Sequence, residues 1–287
     1  MTLSRTRLAD QFTVDAIEPF GVRISPREAG EELAAVPVDV ARELAREHRL
    51  LLLRGFRSPE TKEDLAGYAA TWGELYIWPF GAVLELVEHD TPADHVFDSS
   101  RVSYHWDGMF KDVIPEFQIF QCVTSPAAAE GGRTIFCDTT QVLADATPET
   151  RASWERLELS YGIKQKVHYG GKVVSPIVVE HPDRGFPTMR YLEPVDANEH
   201  YVNPPHVTFP DDLDPEQVAE TTRNLRDTLY DARHMYAHEW QPGDVVVSDN
   251  YVNLHGREAY HSRCGRHLRR VHVLGDPPFT NPALREG

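Results

Sequence analysis

The chain has 287 residues, with 45 acidic against 29 basic side chains and a formal net charge of -16, giving a pI near 5.3. That balance argues against nucleic acid or an anionic membrane surface as partner, since both would be repelled overall, and favours a small molecule. The opening MTLSRTRLADQF lacks the apolar core of a secretion signal, no apolar run approaches the ~20 residues that span a bilayer, and the three cysteines form no CxxC pair. A reducing compartment follows, and the cytoplasm is the expected location.

No linker, repeat or low-complexity tract divides the sequence, so residues 1–287 are expected to form a single domain. In chain order, Val38 to His48 carries apolar residues at helical spacing, Leu50 to Leu53 reads as a buried strand, and Lys62 to Trp72 is a second helix stopped by Gly73. Short β-branched or aromatic runs follow at Ala82 to Glu88, Phe117 to Thr124, Arg133 to Cys137, Gly162 to His168 and Val173 to Glu180. Thr147-Pro148 and Asp214-Pro215 each set a capping residue before a helix-starting proline, which predicts inserted helices over Pro148 to Leu157 and Pro215 to Tyr230. Gln241-Pro242-Gly243-Asp244 is a turn, Val245 to Ser248 a strand behind it, and Leu268 to Leu274 the final strand. The pattern is mainly β with inserted helices, a double-stranded β-helix or jelly roll whose mouth lets opposed strands converge.

His105 and Asp107, two apart on an extended segment, point to one side and can offer an imidazole and a carboxylate to one ion. With 14 histidines and 45 acids, about two His-x-acid triplets arise by chance. The other, His181 and Asp183, lies in a turn-like HPDRG stretch between two strand-like runs and reads as a hairpin turn with a solvated histidine. His255, expected just past the end of the strand after the Gly243-Asp244 turn, would complete two histidines and a carboxylate. This facial set leaves three positions open on iron(II), enough for a bidentate 2-oxo acid and dioxygen. Zinc could use the same ligands, but Arg266, eleven residues on, supplies a guanidinium suited to a distal carboxylate. Arg270 keeps its parity along the final strand and could meet a second carboxylate, whereas Arg269 has the opposite parity and reads as a solvated or structural charge.

Arg54-Gly55-Phe56, Trp72-Gly73-Glu74, His105-x-Asp107, Gly131-Gly132-Arg133-Thr134, Trp240 through His255, and Arg266 fall in the order found in the taurine dioxygenase-like (TauD/TfdA) iron(II)/2-oxoglutarate oxygenases, which the chain resembles over most of its length. The resemblance implies iron at His105, Asp107 and His255, 2-oxoglutarate on Thr134 and Arg266, and an anionic substrate on Arg270. His48 to Phe56, Trp78 to Glu88, His105 to Met109 and Leu254 to Ala259 are similar to the tyrosine-isonitrile oxygenases of the paerucumarin and rhabduscin pathways, the PvcB type. That likeness implies desaturation of a tyrosine-derived isonitrile, with or without loss of its carboxylate. Trp78, Phe80 and Tyr104 could wall the aromatic ring, while His168, Tyr169 and Lys172 read as an exposed loop. Halogenases of this type carry a small residue in place of Asp107, so its presence points to oxygenation or desaturation. The alternatives are hydroxylation of another small amino acid or sulfonate, and a metal-binding jelly-roll sensor without turnover. Oligomeric state is not legible.

Overall fold

A computed structural model describes residues 8, 10–164, 170–196 and 198–285. Its largest layer is a seven-stranded sheet in the order Phe12–Ala16, Val22–Pro26, Leu50–Leu53, Val245–Asp249, Phe117–Thr124, His267–Val273, Val83–Val87. Only the Val22–Pro26 and Leu50–Leu53 pairing within it is parallel. A four-stranded antiparallel sheet, Met235–His238, Thr134–Asp138, Asn253–Arg257, Val102–His105, forms the opposing layer. The jelly-roll expectation is met.

Alternation along the strands explains which side chains meet. Leu51 and Leu53 pack with Ile119, Val245, Val247, Val271 and the helices Val38–His48 and Lys62–Ala70. Leu50 and Leu52 face the other way, into an apolar layer with Phe120, Phe136, Val246, Trp240 and Leu268. An unbroken apolar run is what a strand covered on both faces requires. The first helix buries Val40, Ala41, Leu44 and Ala45 and stops at Arg49, whose φ is 68°. The second is capped by Thr61, whose hydroxyl accepts from the Asp64 N–H while the Asp64 carboxylate accepts in return. Arg54 locks the central strands: its Nε and Nη2 donate to the two oxygens of buried Asp244 at 2.8 and 2.6 Å, and His238 Nε2 lies 3.2 Å from the same carboxylate.

Several elements depart from the sequence reading. The strand expected over Gly162 to His168 runs instead from Glu158 to Gly162; residues 165–169, with His168 and Tyr169, lie outside the described residues, and Lys172 is an exposed strand residue rather than loop. Val173 to Glu180 divides into Lys172–Pro176, which pairs with Glu158–Gly162, and Val178–Glu180, which leaves that ladder to pair with Pro187–Met189. His267–Val273 is followed by two short strands, Phe279–Thr280 and Leu284–Arg285, so it is not the last. The His181 turn does join a hairpin, Val178–Glu180 with Pro187–Met189, but His181 is buried against Tyr251, Phe186 and Phe279 rather than solvated.

Gly256, beside His255, lets the two strands of the opposing layer close up: a Cβ there would lie 2.6 Å from the Val102 carbonyl oxygen. Gly256→Ala is expected to destabilise the fold by about 1–3 kcal/mol through overpacking, read as a lowered thermal midpoint. An unchanged midpoint would show that the strands can separate freely.

Candidate metal centre

His255 lies beyond the end of the Val245–Asp249 strand, as expected, but within a strand of its own, Asn253–Arg257, where it pairs directly with His105 across the antiparallel ladder. Direct cross-strand partners lie close together, and the two imidazole centroids are 4.2 Å apart. Asp107 follows two residues after His105 and completes the group. His105 Nε2 is 3.7 Å from Asp107 Oδ1, His255 Nε2 is 3.8 Å from Asp107 Oδ2, and one ligand atom of each lies within 4.8 Å of the others. Among the described residues this is the group of three that could hold a metal ion.

The surroundings orient His105 and Asp107. His105 Nδ1 is 2.8 Å from the Ser103 carbonyl oxygen; a carbonyl only accepts, so Nδ1 carries the proton and Nε2 keeps its lone pair for a metal. The Asp107 backbone is clamped by Asn250, whose Oδ1 accepts from its N–H at 3.1 Å and whose Nδ2 donates to its carbonyl at 3.0 Å. From the seven-stranded sheet, Arg270 Nη1 at 2.6 Å, His272 Nε2 at 2.8 Å and the Gln118 side-chain amide all reach Asp107 Oδ2. Burial alone would raise the Asp107 pKa, but Arg270, His272 and His255 hold it well below the usual carboxylate range. Burial pushes His105, His255 and His272 below the ordinary imidazole value. Neutral imidazoles beside an ionised carboxylate are the protonation state that takes a divalent cation without displacing protons.

Thr134 and Arg266 meet at the edge of the same centre. Arg266 Nε donates to the Gly132 carbonyl at 2.9 Å and Nη2 lies 3.4 Å from Thr134 Oγ1. Trp240 Nε1 also donates to that hydroxyl, at 2.9 Å, so the Thr134 oxygen is accepting and its own proton remains for an acceptor. Arg266 is buried and, among the described residues, pairs with no carboxylate; burial, with Arg257 nearby, pushes its pKa down to about 9. A dehydrated guanidinium in that condition favours an anion. A cleft lined by His105, His255, Thr134, Arg266 and Arg270 opens beside it. The donor set and this guanidinium fit iron(II) with a dicarboxylate.

A second cleft, of about 800 Å³ and open to solvent, shares His105 and Arg270 and is walled by Trp78, Phe80, Phe97 and Phe110, with Lys111 among its lining. Trp78 and Phe80 stack at 5.8 Å and 6°. Tyr104 is not in this wall. His105 faces the centre, so its strand neighbour faces away, and Tyr104 is fully buried against Tyr230, with ring centroids 4.7 Å apart. Arg270 lines both clefts, but the carboxylate it meets in the structure is Asp107. Arg269, on the other face, pairs with Glu85 at 3.2 Å. Sequence reasoning missed Gln118, Asn250 and His272. The i+2 parity that joined His105 to Asp107 would have added His272 to Arg270; Gln118 carries no such signal.

Residues 13–272 match the family model described as Taurine catabolism dioxygenase TauD, TfdA family. The chain belongs to this family. Tyrosine isonitrile desaturase of Erwinia amylovora is 44% identical to this TauD/TfdA chain over 266 residues, which are 92% of this chain and 90% of that protein. The 3-((Z)-2-isocyanoethenyl)-1H-indole synthase of Fischerella ambigua is 38% identical over 264 residues, 92% and 96% of the two chains. A solved structure of PvcB, an Fe, alpha-ketoglutarate dependent oxygenase from an isonitrile synthetic pathway, superposes with a TM-score of 0.79 at 39% identity, covering 96% of each chain. This TauD/TfdA member is an iron(II)/2-oxoglutarate-dependent dioxygenase that uses O2 as co-substrate. Among its described residues no helix is long and apolar enough to cross a membrane.

Buried histidines give the apoprotein a defined acid limit. Burial, helped by the His105 and Arg257 charges and opposed by the Asp94 attraction, brings His95 down to about 4, whereas an unfolded imidazole takes a proton near pH ~6.5. Stability from this group is present above pH ~6.5 and is lost as pH falls towards 4, because the unfolded chain binds the extra proton. The thermal midpoint of metal-free protein should therefore decline steadily between those values. A flat profile there would contradict the buried neutral state.

Proposed function

We propose that the chain desaturates a tyrosine-derived isonitrile, with iron(II) held by His105, Asp107 and His255 and 2-oxoglutarate held by Thr134 and Arg266. The observation that carries the reading is the meeting of the three ligand side chains beside a buried guanidinium that lacks a carboxylate partner among the described residues. Similarity to the tyrosine isonitrile desaturase and to the indole synthase supports an aromatic isonitrile as the substrate class. One domain would carry the whole reaction. Its three cysteines are free thiols, which suits the reducing cytoplasm as its place of action.

Iron(II), 2-oxoglutarate and O2 together supply an oxidant strong enough to take hydrogen from a C–H bond, leaving succinate and carbon dioxide. The chain's own residues decide which bond is exposed to it. Trp78, Phe80 and Phe110 offer flat apolar walls to a phenol ring, and aromatic walls add preferred ring geometry to buried area. Arg270, paired with Asp107, and Lys111 are the arginine and lysine of a lining that also carries Asp94 and Asp107, and they are where the acid of a substrate would be met. A ring so held turns the benzylic carbon towards His105 and Asp107, which line the same cleft. Removal of a benzylic hydrogen and one further electron, followed by loss of either the α-proton or carbon dioxide, gives the conjugated isonitrile.

Purified protein with iron(II), 2-oxoglutarate and tyrosine isonitrile should yield a product two mass units lighter, or one lacking the elements of formic acid. A product sixteen units heavier would make the enzyme a hydroxylase and overturn desaturation. The tryptophan-derived isonitrile is the second reading, favoured by the 38% identity to the indole synthase, and the ratio of the two rates decides between them. Asp107→Ala is expected to abolish iron-dependent succinate formation; retained turnover would remove Asp107 from the ligand set. Arg266→Ala should raise the 2-oxoglutarate concentration needed for half-maximal rate by at least about tenfold, since a charge-assisted hydrogen bond contributes about 1.5–3 kcal/mol. An unchanged requirement would reassign the carboxylate clamp.

A further inference from the structure

His272 has both ring nitrogens engaged. Trp78 Nε1 lies 3.0 Å from its Nδ1, and its Nε2 lies 2.8 Å from Asp107 Oδ2. An indole N–H can only donate, so Nδ1 must accept, and a ring proton can sit only on Nε2, where it is donated to the carboxylate. The opposite tautomer would set two protons against each other at Nδ1 and two lone pairs against each other at Asp107. A tryptophan in the wall of the aromatic cleft is thus joined by one hydrogen bond to the imidazole that holds Asp107.

The second consequence concerns how that carboxylate is used. His272, Arg270 and Gln118 all donate to Oδ2, which leaves Oδ1 as the oxygen open to an ion. A carboxylate restricted to one bond preserves the third open position of a facial site; a bidentate one would consume it.

We propose that His272 is the positioning residue that restricts Asp107 to a single metal bond through Oδ1, and that Trp78, by its hydrogen bond to His272 Nδ1, couples an occupant of the aromatic cleft to that bond. The inference rests on the reading of His105, Asp107 and His255 as metal ligands. An occupant packed against Trp78 and Phe80 shifts the indole N–H relative to Nδ1. The shift is felt at Oδ2.

The test uses the full chain in its metal-free form, with cobalt(II) as a spectroscopic probe, and three variants: His272→Phe, His272→Gln and Trp78→Phe. Outer hydrogen-bond partners of metal ligands typically set affinity by 10–100-fold, so His272→Phe should weaken cobalt(II) binding by about that much. His272→Gln, whose amide can still donate to Oδ2, should recover most of the loss. Nitrogen-15 spectra of the metal-free wild type should show His272 protonated at Nε2, and Trp78→Phe, in which Asp107 still accepts that proton, should keep the tautomer while moving the Nδ1 resonance through loss of its donor. Adding tyrosine isonitrile to the cobalt(II)·2-oxoglutarate complex should shift the cobalt absorption in wild type and leave it unmoved in Trp78→Phe. Unchanged affinity in a folded His272→Phe, an Nδ1–H tautomer in wild type, or a shift retained in Trp78→Phe would each overturn the proposal. If Asp107→Ala binds cobalt(II) as tightly as wild type, the ligand reading itself has failed, while the nitrogen-15 result, which needs no metal, still judges the relay separately.

Discussion

The constraint on which the rest of this structure depends is the custody of one carboxylate. Asp107 is largely enclosed, and an enclosed ionised carboxylate without partners is strongly disfavoured. It is tolerated here because Arg270, His272 and Gln118 approach from the seven-stranded sheet while Asn250 grips its peptide group. The two imidazoles come from the opposing sheet. The centre is therefore a joint between layers. The apolar contacts of Phe120, Phe136, Trp240 and Leu268 that hold the layers together also hold the ligand set at its spacing.

Much of this was legible in the sequence because it depends on periodicity and on donor chemistry. The helices over Val38–His48 and Pro215–Leu229, the strand Leu50–Leu53 and the Phe117–Thr124 strand carry their spacing openly, and the His-x-Asp pair needs only the alternation of an extended segment. What was hidden depends on partners far away in the chain. The sequence suggests that His255 lies past a strand end, but nothing local shows that it sits opposite His105, since pairing register comes from the assembled sheet. Tyr104 was assigned to the cleft from its place beside a motif, whereas the alternation that aims His105 inward sends its neighbour into the core. The burial of His181 was missed for a similar reason: a turn signal describes the backbone and not what later packs over it.

Arg266 and Arg270 show how two guanidiniums of similar placement acquire different work. Both are buried, and both line the cleft beside His105 and His255. Arg270 has an acidic partner inside the protein, and Arg266, among the described residues, has carbonyl, hydroxyl and the face of Tyr260. A charge that stays under-compensated in the folded chain is a standing preference for a ligand of opposite sign. The Thr134 hydroxyl, its oxygen already accepting from Trp240, adds direction to that preference.

The distance in sequence between His255 and the His105–Asp107 pair has a consequence for the folded state. An extended chain cannot bring these groups together, so an ion held as proposed would bind the folded form far more tightly than the unfolded one, and mass action would then favour folding. Loss of such an ion would loosen the joint between the two sheets as well as stop the chemistry.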